Sequence, residues 1–488
     1  MTTADTSTTA GKIADLKQRL ADARTPVGED AVRATHDAGR FTAHERVEAL
    51  LDKGSFVEID ALVRHRATAF KLDKSRPLTD GVVTGHGTID GRPVCIFSQD
   101  STIFDGQLGE ATGEKMVKVL ELAMKSGTPV IGLYDGTGVR AKEGIVTLEM
   151  FSRIYRLQAQ ASGVVPHIAV VLGKVSGSQS HGVALSDVVI NVAGQSGVCM
   201  HASEERSSVS DATSGLSHIT ATDEQSALDL AAELLTYLPS NNRAITPEAE
   251  STAARDGHSL DVAIPDARDE AFDITQIIAE VVDNDSLLEL QPVHAPNICT
   301  CFARIDGRSV GIIANQPTEK GGQLDADAAE KAARFIRLCN TYNLPLISFV
   351  DAPDFAPDTD GPGAVRRTAK LFSASADASV GKIAVIVRRA FGSAYLAMGA
   401  KRMGTDLVFA WPTAQIAVSD AVALSEITGV DAAQLEEDIV NPYAAAERGL
   451  VDAVIAPSHT RKQLIEGLRL LERKVEDGYP RKNNNIQL

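Results

Sequence analysis

Short apolar runs alternate with amphipathic segments along most of the chain. The clearest apolar runs are Pro129–Tyr134, His167–Leu172, Pro345–Val350 and Lys382–Val387. The amphipathic segments between them include Glu114–Ser126 and Ala328–Asn340. A strand in the middle of a parallel sheet is covered on both faces, so its sequence is continuously apolar and does not alternate. The pattern therefore predicts an α/β fold in which helices cover both faces of parallel sheet.

The whole pattern occurs twice. Ile89–Arg92 and Ile305–Arg308 both read Ile-Asp-Gly-Arg and lie 216 positions apart. Aligned without gaps, Ile89–Asp135 and Ile305–Asp351 share 16 identical residues in 47 positions. A repeat of this length indicates a duplicated domain and not a solenoid unit. We therefore predict two tandem domains that arose by internal duplication.

The predicted boundary lies in a stretch without hydrophobic periodicity. Pro239–Ala271 is rich in Ser, Asn, Pro, Ala and Asp, as linkers between domains often are. We predict an N-terminal domain over residues 1–240, a linker over 241–270 and a C-terminal domain over 271–488.

Composition and charge exclude several classes of protein. The chain has 488 residues and a formal net charge of −17, which argues against a nucleic-acid-binding surface. No apolar stretch approaches the roughly 20 residues that a membrane span requires. Five scattered cysteines without a Cys-x-x-Cys pair do not predict a metal site. We expect a cytoplasmic protein without a metal, a nucleic-acid partner or a membrane anchor.

Long sequence strings resemble one enzyme family. The strings are Arg76–Gly85, Gly87–Arg92, Phe97–Asp100, Ala314–Thr318, Glu330–Phe335, Trp411–Val418 and Asn441–Gly449. Through them the chain resembles carboxyltransferase (β) subunits of biotin-dependent acyl-CoA carboxylases, of the acetyl-/propionyl-CoA type.

The resemblance implies a crotonase-like fold in each half and a ring-shaped hexamer, either homomeric or heteromeric. The acyl-CoA would lie between the N-terminal half of one subunit and the C-terminal half of another. Biotin would be carried on a separate biotin carboxylase/biotin carrier (α) subunit. The implied activity is transfer of a carboxyl group from carboxybiotin to acetyl-CoA, propionyl-CoA or a related acyl-CoA.

Such a transfer develops negative charge on two oxygen atoms, one on the thioester and one on biotin. Backbone N–H groups at glycine turns are suited to stabilise both. The resemblance assigns the thioester oxyanion hole to Gly177 and Ser178. It assigns the biotin oxyanion hole to Ser393 and Ala394, after Gly392. The resemblance implies no catalytic side-chain base, because biotin itself would take the α-proton.

The resemblance also indicates substrate contacts. Gly138 and Arg140 are predicted to contact the acyl-CoA, with Arg140 and Lys142 near the CoA phosphates. A solvated loop is an equal alternative for these two side chains. Gly392, Tyr395 and Leu396 are predicted on the biotin side, where Leu396 would set the size of the acyl pocket or simply pack.

Several positions depart from the family pattern. The second glycine of each Gly-Gly pair is Ser178 or Ser393, which would be strained if its backbone had to be left-handed. Asp354 stands where the family has glycine. Two segments are also shorter than in the family, one at Cys199–Ser214 and one after Val418.

Three functional hypotheses follow. The first is an active carboxyltransferase subunit. The second is a catalytically impaired paralogue that serves as a structural subunit of a mixed hexamer, which the shorter segments and lost glycines would explain. A hydrolase or decarboxylase on the same scaffold is a third possibility.

Glu114 and Glu330 are predicted to pair with their neighbours, Lys115 and Lys331, and not to act as catalytic acids.

Overall fold

The computed structural model describes residues 6–201, 207–252, 257–267, 270–357, 361 and 363–476. The chain forms two compact units, unit 1 (Met1–Thr236 with Ser240–Ala244) and unit 2 (Tyr237–Pro239 with Ile245–Leu488). Residues 253–256 and 268–269 of the predicted linker lie outside the described part. None of the described helices is long and apolar enough to cross a membrane.

Unit 1 is built around a mixed sheet with the strand order β1-β2-β3-β4-β5-β7-β9. Its strands are β1 (Val57–Ile59), β2 (Val82–Ile89), β3 (Arg92–Gln99), β4 (Val130–Tyr134), β5 (His167–Val171), β6 (Lys174–Ser176), β7 (Val188–Val192), β8 (Gly197–Cys199) and β9 (Ile219–Ala221). Its helices are α1 (Thr9–Arg24), α2 (Glu29–Asp37), α3 (Ala43–Leu50), α4 (Glu110–Ser126), α5 (Val146–Ala161), α6 (Ser178–Ala184), α7 (Ser208–Thr213) and α8 (Glu224–Tyr237). Strands β6 and β8 form a separate parallel pair.

Unit 2 repeats this arrangement with the strand order β10-β11-β12-β13-β14-β15-β17. Its strands are β10 (Leu288–Leu290), β11 (Ile298–Ile305), β12 (Arg308–Asn315), β13 (Leu346–Ala352), β14 (Lys382–Phe391), β15 (Leu407–Ala410), β16 (Gln415–Ala417) and β17 (Ala453–Val454). Its helices are α9 (Ile274–Val281), α10 (Ala326–Thr341), α11 (Ala364–Asp377), α12 (Gly392–Gly399), α13 (Ala421–Thr428), α14 (Ala432–Asp438), α15 (Pro442–Glu447) and α16 (Thr460–Leu471).

One difference between the units concerns the strand that leads to the predicted oxyanion turn. In unit 2, β14 runs without interruption and pairs with β15 at its start and with β16 at its end. In unit 1 the corresponding stretch of chain forms two separate strands. These are β5, which pairs with β7, and β6, which pairs with β8. The unit-1 turn therefore follows a strand that lies outside the main sheet.

The sheets are mixed, whereas the apolar pattern alone predicts parallel sheet. Strands β3, β4, β5, β7 and β9 are parallel, as predicted, but β1, β2 and β3 are antiparallel. The two-residue Asp-Gly turn accounts for the antiparallel pair β2–β3, because parallel strands need a much longer crossover connection. In unit 1, Asp90 and Gly91 both have positive φ (49° and 73°), which suits a tight hairpin turn.

The two Glu-Lys pairs have partners other than those predicted. Lys115 is buried, and its Nζ donates to the carbonyl oxygens of Thr79 and Val82. Glu114 pairs instead with Arg66, at 2.6 Å. The predicted pairing of neighbouring side chains is therefore wrong, because adjacent residues on a helix point in different directions.

In unit 2, Lys331 is also buried and donates to the carbonyl oxygens of Gln291, His294, Ala295 and Ile298. Its neighbour Glu330 pairs with Arg367 and Lys370 on α11. Both buried lysines thus bind backbone oxygens of their own unit.

Buried His167 makes the stability of unit 1 sensitive to acid. Burial lowers the pKa of His167 from 6.5 to about 4. Below pH 6.5 the unfolded chain therefore binds a proton that the folded chain excludes. We expect the free energy of unfolding to fall by about 3 kcal/mol between pH 6.5 and pH 4 on this account.

His167→Gln should remove most of this pH dependence, as measured by urea unfolding at pH 7 and pH 5. Exposed His86 on β2 provides the control, because His86→Gln should leave the dependence unchanged. An equal acid sensitivity in wild type and His167→Gln would contradict the assignment.

Candidate active site

The predicted thioester turn of unit 1 connects β6 to α6. Gly177 has φ 62° and ψ −138°, a conformation that is essentially restricted to glycine. Its N–H donates to the carbonyl oxygen of Cys199 at 3.2 Å. Ser178 is the first residue of the helix, and its N–H donates to no acceptor in the described part of the chain. Of the two predicted donors, only Ser178 therefore offers a free N–H group.

Both substituted serines avoid the predicted strain. The positive φ values of the two turns belong to Gly177 (62°) and Gly392 (54°). Neither Ser178 nor Ser393 is among the described non-glycine residues with positive φ. Glycine is thus retained where a left-handed backbone requires it, and serine occupies positions that any residue can adopt.

Two side chains that belong to none of the sequence motifs, those of Tyr155 and Gln179, hold the unit-1 turn in place. The hydroxyl of Tyr155 donates to the carbonyl oxygen of Ser178. Gln179 donates to the carbonyl oxygens of Gly106 (3.0 Å) and Gly138 (2.9 Å), and its own oxygen accepts from Gln99 (2.6 Å). Tyr155 therefore holds the peptide group that follows Ser178, and Gln179 ties the start of α6 to the backbone at Gly106 and Gly138.

Gly138 lies beside this turn, but its own polar groups are already bound. A Cβ built on Gly177 would lie 3.4 Å from the Cα of Gly138. The N–H of Gly138 donates to the carbonyl oxygen of Ser176 at 3.0 Å. Gly138 therefore shapes the turn by close approach and supplies no free donor.

The predicted role of Arg140 requires correction. Its side chain is buried, and Nη1 pairs with Asp80 (2.8 Å) and Glu143 (2.7 Å). Its guanidinium also lies 4.3 Å from the centre of the Phe104 ring. Two carboxylates already neutralise the guanidinium away from solvent, so it is not available to a CoA phosphate. Lys142, in contrast, is exposed and remains a candidate.

The predicted biotin turn of unit 2 connects β14 to α12 and has the same form. Gly392 has φ 54° and begins the helix. The N–H groups of Ser393 and Ala394 donate to no acceptor within the described residues. Ser393 is exposed and Ala394 is buried. This turn therefore presents two adjacent free donors.

A cavity of about 390 Å³ opens beside Ser393. Its lining is mainly apolar and includes Phe355, Val365 and Phe372. Apolar walls with a few placed polar groups are typical of small-molecule sites.

Tyr395 and Leu396, which are also predicted to contact the substrate, do not line this cavity. Leu396 is 45% exposed and lines a separate, smaller cavity with Ile313 and Ile336. Tyr395 is mostly buried, and burial raises the pKa of its phenol. The structure thus brings Ser393 to the larger cavity but not Leu396, because successive helical residues point in different directions.

A buried ion cluster supports the strand end that carries the unit-2 turn. Asp351 is fully buried and accepts from Arg388 (2.8 Å) and Arg389 (2.7 Å). Burial alone would raise the pKa of Asp351, but hydrogen bonds from the two arginines outweigh it and lower the pKa. Asp135, its counterpart in the repeat, pairs with Arg40 and Arg46.

The two shorter segments follow the strands that flank these turns. In unit 1, β8 is followed by residues 202–206, which lie outside the described part, and then by α7. In unit 2, β16 is followed by the short helices α13 and α14. Val422 and Ile427 on α13 are exposed, at 61% and 79%. Among the described residues, both shorter segments therefore contain only short helices.

Free N–H groups after a glycine turn in each of two α/β units are suited to an enzyme that stabilises negative charge on oxygen. Comparisons with known proteins specify the family. Residues 34–486 match the carboxyl transferase domain. The chain belongs to the carboxyltransferase family of biotin-dependent acyl-CoA carboxylases, and each unit has the crotonase-like fold.

Similar proteins match along their whole length. The biotin-dependent acetyl-/propionyl-coenzyme A carboxylase beta5 subunit of Mycobacterium tuberculosis (strain ATCC 25618 / H37Rv) is 46% identical over 531 residues, covering 100% of this chain and 97% of the relative. The propionyl-CoA carboxylase beta chain of Saccharopolyspora erythraea is 42% identical over 530 residues, covering 99% of this chain and 97% of the relative. Both alignments are longer than the chain, so the relatives carry residues that this chain lacks.

A solved structure shows the same fold. The crystal structure of transcarboxylase 12S, described as a hexamer assembly with hydrolysed methylmalonyl-coenzyme A bound, has a TM-score of 0.94 and 35% identity. The match covers 98% of this chain and 99% of that one. The predicted family, fold class and enzyme class are confirmed, and the alternative of a purely structural subunit is not favoured.

Proposed function

We propose that this chain transfers the carboxyl group of carboxybiotin to acetyl-CoA, propionyl-CoA or a related acyl-CoA. The observation that carries the proposal is the conjunction of a family match over residues 34–486 with free N–H groups at both predicted turns. The functional division into an acyl-CoA domain (1–240), a linker (241–270) and a biotin domain (271–488) is part of the proposal.

Unit 1 is proposed to bind the thioester. The N–H of Ser178 would donate to the thioester oxygen as negative charge develops there on loss of the α-proton. Tyr155 and Gln179 would keep this donor aligned, so that little reorganisation is needed during the reaction. Lys142, exposed on the loop before α5, would meet a CoA phosphate.

Unit 2 is proposed to bind biotin, carried on a separate subunit. When bound, carboxybiotin supplies the carboxyl group and a ureido oxygen on which negative charge develops. The free N–H groups of Ser393 and Ala394 and the apolar cavity beside them fit such a group. Their role would be to donate to that oxygen, while Phe355 and Phe372 exclude water from the apolar side.

The proposal includes assembly. Transcarboxylase 12S forms a hexamer, and the related β subunits belong to biotin-dependent carboxylases. We propose that this chain likewise forms a hexamer of β subunits and works with a biotin carboxylase/biotin carrier (α) subunit.

The reverse half-reaction tests the proposal without partner subunits. The purified chain is incubated with malonyl-CoA or methylmalonyl-CoA and free biotin, and the formation of acetyl-CoA or propionyl-CoA is followed by chromatography. We expect turnover that requires biotin. The assay needs no biotin carboxylase and requires both turns to function.

Three outcomes are informative besides the expected one. Turnover that is independent of biotin would indicate a decarboxylase. Release of free CoA would indicate a thioester hydrolase. No turnover by a folded oligomer would overturn the proposal and restore the structural-subunit hypothesis.

A further inference from the structure

The duplication places a glycine in unit 1 and an aspartate in unit 2 at the same structural position. Gly138 and Asp354 lie 216 positions apart, which is the offset of the repeat. The carbonyl oxygen of Gly138 accepts from the N–H of Leu108, and that of Asp354 from the N–H of Leu324, each at 3.2 Å. The backbones of Gly138 and Asp354 therefore make corresponding hydrogen bonds, and the two positions differ in that only Asp354 carries a side chain.

At this position the carboxylate lies against the unit-2 turn. A Cβ built on Gly392 would lie 3.1 Å from Oδ1 and 3.4 Å from Oδ2 of Asp354. In unit 1 the corresponding neighbour of Gly177 is only the Cα of Gly138. The two turns thus share a form but differ by one negative charge.

The carboxylate is held in place and is not neutralised. Its Oδ1 accepts from the N–H of Phe355 at 2.8 Å, and Ala356 N–H donates to the carbonyl oxygen of Leu324 at 2.7 Å. The nearby Arg388 and Arg389 pair with Asp351 instead. No cation in the described part of the chain forms an ion pair with Asp354.

We propose that Asp354 determines the charge preference of the unit-2 turn. Its negative charge opposes negative charge on an oxygen bound by the N–H groups of Ser393 and Ala394. The interaction of like charges a few ångströms apart is strong near a protein surface. The turn therefore favours a neutral ureido group over one that carries negative charge, and Asp354 slows carboxyl transfer. This inference rests on the proposed function.

The test compares wild type with Asp354→Asn, which keeps the shape of the side chain, and Asp354→Gly, which restores the residue of unit 1. The substrates are malonyl-CoA and biotin methyl ester, whose esterified tail carries no charge. Asp438→Asn, at an exposed position at the end of α14, is the control for loss of one negative charge from unit 2.

We expect both Asp354 variants to raise kcat about 10-fold or more, with KM for biotin methyl ester changed less than about 3-fold. Added salt should raise the wild-type rate and leave Asp354→Asn unaffected, because salt screens the repulsion. Calorimetric titration with biotin methyl ester should give similar Kd values for wild type and variants, since the bound ligand is neutral.

Other results overturn the inference in distinguishable ways. If wild type turns over and the Asp354 variants are equal or slower, the charge preference is wrong and the proposed function stands. If Asp438→Asn gives the same increase, the effect comes from net charge and not from this position. If no variant turns over, the proposed function fails and this inference fails with it.

Discussion

Replacing Ser178 with proline is expected to lower carboxyl transfer by about 100- to 1000-fold, the cost typical of losing one oxyanion donor. Proline lacks the N–H that this turn offers, yet it is well tolerated at the first position of a helix. Ser178 occupies that position in α6, directly after the glycine turn. The variant should therefore fold normally and lose the predicted donor alone. The measurement is kcat/KM for biotin-dependent decarboxylation of malonyl-CoA.

Ser178→Ala is the matched control. It removes the hydroxyl and keeps the N–H, so we expect a change of less than about 5-fold. This pair of variants separates a backbone donor from a serine nucleophile, which a hydrolase would require. If alanine were as damaging as proline, the hydroxyl and not the N–H would be the functional group.

The largest effect on stability is expected from Asp351→Ala. The substitution leaves the guanidinium groups of Arg388 and Arg389 without their buried partner. Removing one member of a buried ion pair costs about 3–5 kcal/mol. Because Arg389 lies three residues before Gly392, turnover should fall as well.

Urea unfolding at pH 7 measures this cost, and Asp30→Ala is the control. Asp30 forms an exposed pair with Arg33, whose loss should cost less than about 1 kcal/mol. Since the pKa of Asp351 is lowered in the folded state, its contribution exists above the pKa of the unfolded carboxyl and is lost in acid. Equal stability of the two variants would show that the cluster is dispensable.

The fold was predictable because its information is local and repeated. The buried strands β4 and β13 are continuously apolar, and the same turn sequence precedes both. Helix α2 was not predicted, since it is only nine residues long and none of its residues is buried. Apolar runs do not record strand direction, and only the Asp-Gly turn between β2 and β3 indicates the antiparallel part of the sheet.

Some features of the predicted site residues could likewise be read from the sequence, and others could not. Glycine turns carry a signal in the sequence, and the structure places Gly177 and Gly392 where a positive φ is required. The burial of Arg140 carries no such signal, because its partner Asp80 lies 60 positions away. The role of Tyr155 is equally hidden, since its contact is with a backbone oxygen.

Because one strand is divided into β5 and β6, the turns of the two units are attached to the main sheet in different ways. In unit 2 any displacement of Gly392 must bend β14, which is hydrogen-bonded along the main sheet. In unit 1 the turn follows β6, which is bonded to β8 and to the loop at Thr137 and Gly138 but to no strand of the main sheet. Under the proposed function, the unit-1 turn would meet the ligand whose acyl group varies in bulk, and the unit-2 turn would meet the ligand whose reacting end is always the same. Duplication thus produced two copies of one strand–turn–helix element. The interruption of a single strand places the turn of one copy outside the main sheet and leaves the turn of the other at its end.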